Sequence, residues 1–160
     1  MKKIKLSENL ELSQVVMGCM RIADSNLTEN ELLDLVEKCL DMGVTSIDHA
    51  PVYGGYTCEK IFGDAVLRKR PELRDKMQLI TKAGIVCPGH YGNKTIYYKS
   101  TKEEILKEMD ESLEKLGTDH VDLLLIHRPD PLADPAETAD ALETVVKQGK
   151  ALNVGVSNFL

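Results

Sequence analysis

VDLLLIHRPDPLADPAETADALETVVKQGKALNVGV, residues 121–156, is the stretch on which the fold turns. It opens with Val121-Asp122-Leu123-Leu124-Leu125-Ile126, a nearly continuous apolar run of the kind expected for a strand covered on both faces. Asp134 and Pro135 then supply an N-cap and a first-turn proline, with Glu137 at the third helical position. Leu142, Val145 and Val146 give the helix one apolar face, Gly149 ends it, and Leu152–Val156 reads as another strand. Strand, helix and strand in succession form the unit of a parallel sheet, because parallel neighbours need a crossover.

The same alternation extends towards the amino terminus. Thr101 and Glu104 are spaced as a capping box, and Ile105, Met109, Leu113 and Leu116 repeat on one face up to Gly117. Met77–Lys82 is a strand before it. Tyr53-Gly54-Gly55-Tyr56 is a turn leading to a helix that carries Ile61, Phe62, Ala65 and Val66 and closes at Pro71. Val44–Asp48 is a strand, preceded by a helix that Thr28 and Glu31 cap and on which Leu32, Leu33, Val36 and Leu40 align before Gly43. Val15–Met20 is the first strand of the series, and Leu6, Leu10 and Leu12 around Glu8-Asn9 predict a small hairpin ahead of it. The segment from Ala83 to Ser100 breaks the pattern with Gly, Pro, Asn and tyrosines, and reads as a long loop of the kind that carries function. Residues 1–160 form one unit of α/β class, with no linker and no internal sequence repeat.

Composition narrows the classes. The chain is 42% hydrophobic and 29% charged, as ordinary globular proteins are. A net charge of −6 argues against a nucleic-acid partner. No apolar run is long enough for a membrane span, and the lysine-bearing start has no apolar segment behind it, so a cytoplasmic protein is expected. Arg68, Lys69 and Arg70 favour a helix end over a binding patch. Cys19, Cys39, Cys58 and Cys87 contain no CxxC and read as free thiols, with neither a metal site nor a disulfide framework.

Asp48, Lys82 and His127 each stand where an apolar strand ends, and Tyr53 lies on the loop that begins beside Asp48. In a parallel barrel those ends form the catalytic mouth. An ammonium favours the phenolate of a nearby tyrosine, a carboxylate holds that ammonium charged, and an imidazole orients a substrate oxygen. The set fits proton donation by Tyr53 to a carbonyl that is being reduced. Taken singly, each has an ordinary alternative: Asp48 as a turn acceptor before Pro51, Lys82 as a solvated strand end, and His127 as a packed histidine. Ser157 and Asn158 serve equally as a turn, Gly54 and Gly55 permit one, Glu59 reads as a first-turn helix residue, and Tyr91, Tyr97 and Tyr98 either line the mouth or cover the loop.

Four segments, GVTSIDHAPVYGG (43–55), LITKAG (79–84), SLEKLGTDHVDLLLIHRPDP (112–131) and VGVSNF (154–159), together resemble the aldo-keto reductase family, closest to its bacterial NADP-dependent members. The resemblance implies a (β/α)8 TIM barrel, of which this chain is the amino-terminal portion. It implies a catalytic set of Tyr53, Asp48, Lys82 and His127, with Tyr53 the proton donor. It also implies that Met20, Arg21, Asp48, Ser157 and Asn158 bind the nicotinamide end of NADPH, with NADH as the alternative, and that the substrate is a small aldehyde or ketone. His49 replaces a threonine common in the family, at a position expected to face a loop. The family barrel continues through three more strands whose loops hold the rest of the cofactor, so the chain is expected to be a fragment, with an open sheet that favours self-association. The rival readings are a non-enzymatic nicotinamide-binding regulatory subunit, an inactive barrel remnant, and a metal-dependent hydrolase; the last is disfavoured because the four histidines form no paired-ligand spacing.

Overall fold

The computed structural model describes residues 1–159. The chain opens with the predicted hairpin, β1 (Lys3–Lys5) paired antiparallel with β2 (Glu11–Ser13). There follow β3 (Val16–Gly18), α1 (Glu29–Asp41), β4 (Ser46–Asp48), α2 (Cys58–Phe62), β5 (Gln78–Ala83), β6 (Ile85–Val86) and β7 (Tyr97–Tyr98). The series ends with α3 (Lys102–Leu116), β8 (Leu123–Ile126), α4 (Pro135–Lys147) and β9 (Val154–Val156). One five-stranded sheet has the order β3-β4-β5-β8-β9, parallel throughout. Neighbours in space are neighbours in the series, which is the winding of a barrel wall. Among the described residues the wall is unclosed, and β3 and β9 are its edges.

Alternation along each strand divides two environments. Leu79 and Ala83 of β5, with Leu124 and Ile126 of β8, face the helices and join Phe62, Val66, Ile105 and Val145 in the main core. Ile80, Leu123 and Leu125 face inward and meet Leu10 and Leu12 of the hairpin. The hairpin sits at the amino ends of the strands, where the Ser13 hydroxyl accepts from the backbone N–H groups of Thr45 and Ser46. It closes the floor of the wall and leaves the carboxyl ends free.

Helix ends follow the local chemistry. Thr28 and Glu31 form the reciprocal capping box, with Glu31 accepting from the Thr28 N–H at 2.9 Å. At α3 only half of the box forms: Thr101 accepts from the Glu104 N–H, but the Glu104 carboxylate is buried and turns to the Lys99 ammonium, 2.7 Å away. Asp134 caps α4, and Glu137 accepts from the Lys102 N–H, which ties the starts of α3 and α4 together.

Four expectations change. The edge strands are shorter than their apolar runs, and Val121 meets Ala151 only as an isolated bridge. The segment from Ala83 to Ser100 is not a featureless loop: Ile85 pairs with Tyr98 and Val86 with Tyr97 in a two-residue ladder, too short to leave a periodic signal. The helix after Tyr56 widens into a π turn over Gly63–Leu67. There Gly63 lies so close to α3 that a Cβ would collide with the Lys115 carbonyl oxygen. The basic cluster does serve a helix end, but a neighbouring one. Arg68 donates to the Glu114 and Lys115 carbonyls at the end of α3, while Lys69 and Arg70 pair with Glu29 and Glu37 of α1. No described helix is long and apolar enough to cross a membrane.

Candidate active site

The carboxyl ends of β4, β5 and β8 bring Asp48, Lys82 and His127 to one mouth, because in each case the side chain at the strand end falls on the inward face. The Lys82 ammonium donates to Asp48 Oδ1 at 2.7 Å, to the His49 carbonyl at 2.7 Å and to the Tyr53 phenol oxygen at 3.0 Å. Tyr53 in turn donates to Asp48 Oδ2 at 3.2 Å, so the three side chains close a hydrogen-bonded triangle. The turn that places Tyr53 needs successive positive φ values, 56° at Gly54, 62° at Gly55 and 72° at Tyr56, and the two glycines accept them without side-chain strain. A solvated Lys82 is ruled out, since only 6% of the residue is exposed.

The imidazole of His127 stands beside Tyr53, with ring centroids 6.0 Å apart and planes at 79°. Burial, helped by the Lys82 charge, lowers its pKa to about 4, so the ring is neutral near pH 7. For Tyr53, burial raises the phenol pKa, and the nearby Asp48 charge adds to the rise; Lys82 offsets only part of it. The expected preference for phenolate therefore gives way to a phenol that keeps its proton at rest, held next to the cation that would stabilise its loss.

Ser157 and Asn158 follow β9 on the far side of His127. The Asn158 amide donates to the His127 carbonyl at 3.1 Å and to the Ser157 hydroxyl at 2.8 Å, and Asn158 adopts a φ of 61°. Met20 and Arg21 lie at the other end of the arc, both exposed. The Cys19 N–H immediately before them donates to the Asp48 carbonyl at 2.9 Å. The residues predicted for the site thus stand along one rim, with side-chain hydrogen bonds joining Asp48, Tyr53 and Lys82 in one group and Ser157 with Asn158 in another.

One residue departs from its expected place, and a second holds its place but at unexpected depth. His49 does not face a loop: it is fully buried, its ring packs edge-on against Phe62 at 4.6 Å, and neither ring nitrogen has a partner. Glu59 is the first-turn helix residue that was expected, and it is also buried, at 1% exposure. Neither placement leaves a mark in the sequence, and the His49 carbonyl that holds Lys82 is a backbone group that any residue supplies. Elsewhere, Tyr91 rests on α3, donating to Glu111 at 2.8 Å under the Lys107 ammonium, and Tyr56 stacks on His90 at 3.6 Å. The four cysteines are free, as read; burial and the Asp48 charge push the Cys19 thiol pKa up, so it stays protonated at neutral pH. Among the described residues, no three His, Cys, Asp or Glu side chains group as metal ligands.

His49 makes stability acid-sensitive. Burial, with the Lys82 charge, lowers its pKa from 6.5 to about 3. Below pH 6.5 the unfolded chain gains a proton on this ring that the folded chain refuses, so its contribution is complete above that value and is lost as pH falls towards 3. The loss is about 1.4 kcal/mol per pH unit. Denaturant melts at about pH 7 and about pH 5 should therefore differ by about 2 kcal/mol more in the natural protein than in His49→Met. Equal pH dependence in the two proteins would show that the ring is solvated.

A parallel α/β barrel wall with an acid, an ammonium, a phenol and an imidazole at the carboxyl ends of its strands defines a protein built for acid–base chemistry at that mouth. The model of the Aldo/keto reductase family matches residues 14–160, and the chain belongs to that family. It is 46% identical over 161 residues to the uncharacterized oxidoreductase YcsN of Bacillus subtilis, covering 99% of this chain and 53% of that protein. It is 47% identical over 162 residues to a 6-dehydroglucose reductase of Agrobacterium fabrum, covering 99% of this chain and 54% of that one. Among solved structures, the holo form of the aldo-keto reductase AKR11C1 from Bacillus halodurans superposes with a TM-score of 0.83 at 27% identity, over 99% of this chain and 51% of that one. The chain thus spans about half the length of the curated relatives it matches.

Proposed function

We propose that the protein to which this chain belongs reduces small aldehydes or ketones to alcohols with NADPH, and that Tyr53 donates the proton. The observation that carries the reading is the triangle of Tyr53, Lys82 and Asp48 at the mouth. The residues present fit the nicotinamide end of the cofactor. A hydroxyl and an amide, on Ser157 and Asn158, stand beside His127, and Met20 offers an exposed apolar side chain across the mouth. Ser157 and Asn158 would pair with the carboxamide, with Met20, Arg21 and Asp48 along the same rim. NADH carries the same ring and is the alternative. When bound, the cofactor supplies the hydride.

The chain's own groups do the rest. Neutral His127 offers an N–H to the substrate oxygen without placing a second cation beside Lys82. Tyr53 holds the proton at its phenol oxygen and releases it to the developing alkoxide. As the phenolate forms, the Lys82 ammonium, 3.0 Å away, stabilises it, and Asp48 keeps that ammonium in place. The relative named a 6-dehydroglucose reductase directs attention to hydroxylated carbonyl compounds.

The test is titration of the protein with NADPH, followed by cofactor fluorescence, and then NADPH consumption against a panel of hydroxylated and simple aldehydes and ketones. Saturable binding with consumption on at least one carbonyl is expected. Binding with no consumption across the panel would favour a regulatory nicotinamide-binding role.

A further inference from the structure

Glu59 is buried at the junction of three elements, and the acid–base reading of Tyr53 and Lys82 does not use it. It lies in the first turn of α2, which the Cys58 N–H joins to the Tyr53 carbonyl at 3.3 Å. One carboxylate oxygen accepts from the Thr81 hydroxyl of β5 at 2.6 Å, and the other accepts from the Ser112 hydroxyl of α3 at 3.1 Å. Thr81 is the residue before Lys82, and alternation sends its side chain to the helix layer while Lys82 points into the mouth.

We propose that Glu59 is a positioning residue that sets the approach of the Tyr53 phenol to the Lys82 ammonium. The two groups meet at their tips in front of the sheet, and Glu59 ties together behind it the two segments that carry them. The ring of contacts runs from Tyr53 through Cys58, Glu59 and Thr81 to Lys82, and returns through the 3.0 Å contact in the mouth. Ser112 holds the carboxylate against α3, so it cannot follow either segment alone. A carboxylate at this depth is costly; burial raises its pKa even though both hydroxyls bind it. An apolar residue would fill the place more cheaply but would leave Thr81 and Ser112 unpaired and α2 free to slide on β5.

The proposal rests on the Tyr53–Lys82 pair acting as described above, but its test needs neither cofactor nor substrate. The measurement is the titration of the Tyr53 phenol, followed by NMR of ring-labelled tyrosine and assigned with Tyr53→Phe. Loosening the pair withdraws the Lys82 interaction that lowers the phenol pKa, so Glu59→Ala should raise the midpoint by about half to one pH unit. Thr81→Val, nearly isosteric, removes one arm of the tie and should raise it by a smaller amount. Glu59→Gln keeps an acceptor and a donor for the two hydroxyls and should restore the natural midpoint. Loss of a negative charge alone would lower the midpoint, and would do so in Gln and Ala alike, so the direction separates the tie from the charge. If Glu59→Ala fails to fold, Thr81→Val against Glu59→Gln carries the comparison. Unchanged midpoints in Thr81→Val and in folded Glu59→Ala, or the same shift in Glu59→Gln, would overturn the proposal. A shift as expected in a protein that reduces no carbonyl would leave the tie standing and remove only the assigned reaction.

Discussion

Tyr53→Phe is expected to lower kcat/KM for carbonyl reduction by about 10³-fold, while NADPH affinity stays within about twofold of the natural protein. The change deletes one oxygen atom, the one that accepts from Lys82 at 3.0 Å and donates to Asp48 at 3.2 Å. The ring that packs beside His127 remains, so the mouth keeps its shape. What is lost is the hydroxyl that the proposed mechanism uses as proton donor, while Lys82 stays held by Asp48 and the His49 carbonyl and His127 stays neutral near pH 7. Single-turnover kinetics with preloaded NADPH isolates the chemical step from binding. Unchanged turnover would move the proton donor elsewhere, and an equal loss of cofactor affinity would place Tyr53 in binding instead.

Lys82→Met is expected to damage both chemistry and stability. The ammonium makes three hydrogen bonds from a position with 6% exposure. Removing it leaves the Asp48 carboxylate facing the phenol with no cation between them, which opposes phenolate formation. It also leaves the His49 carbonyl without that donor. A loss of about 10²- to 10⁴-fold in kcat/KM is expected, with a decrease of about 3 kcal/mol in unfolding free energy. Reductase assays and denaturant melts read the two effects separately. A variant that kept its stability but lost activity would show that the pair is a catalytic device only. Retention of both would contradict the triangle itself.

The order of the sheet strands and of the helices between them was legible, because the signals that set it are local. The apolar run at Leu123–Ile126, the caps Thr28 and Asp134, and the periodicity of α1, α3 and α4 act within a few turns of chain. Asp48, Lys82 and His127 could be picked out because a polar residue after an apolar strand occupies a defined place in a parallel wall. The ladder of β6 and β7 could not, since two pairs per strand give no period to read.

The sequence alone therefore determined the class of fold, the end of the sheet to which Asp48, Lys82 and His127 are brought, and the residue types available there. The tertiary structure decided what those residues are. Lys82 is buried and bonded to Asp48, 34 positions earlier in the chain, rather than solvated. His49 is sealed against Phe62, Glu59 joins α2 to β5 and α3, and Arg68 closes a helix other than its own. The phenol of Tyr53 keeps its proton because burial outweighs the neighbouring ammonium. Each of these depends on desolvation and on distances between segments remote in sequence, and both come into being only when helices and sheet pack.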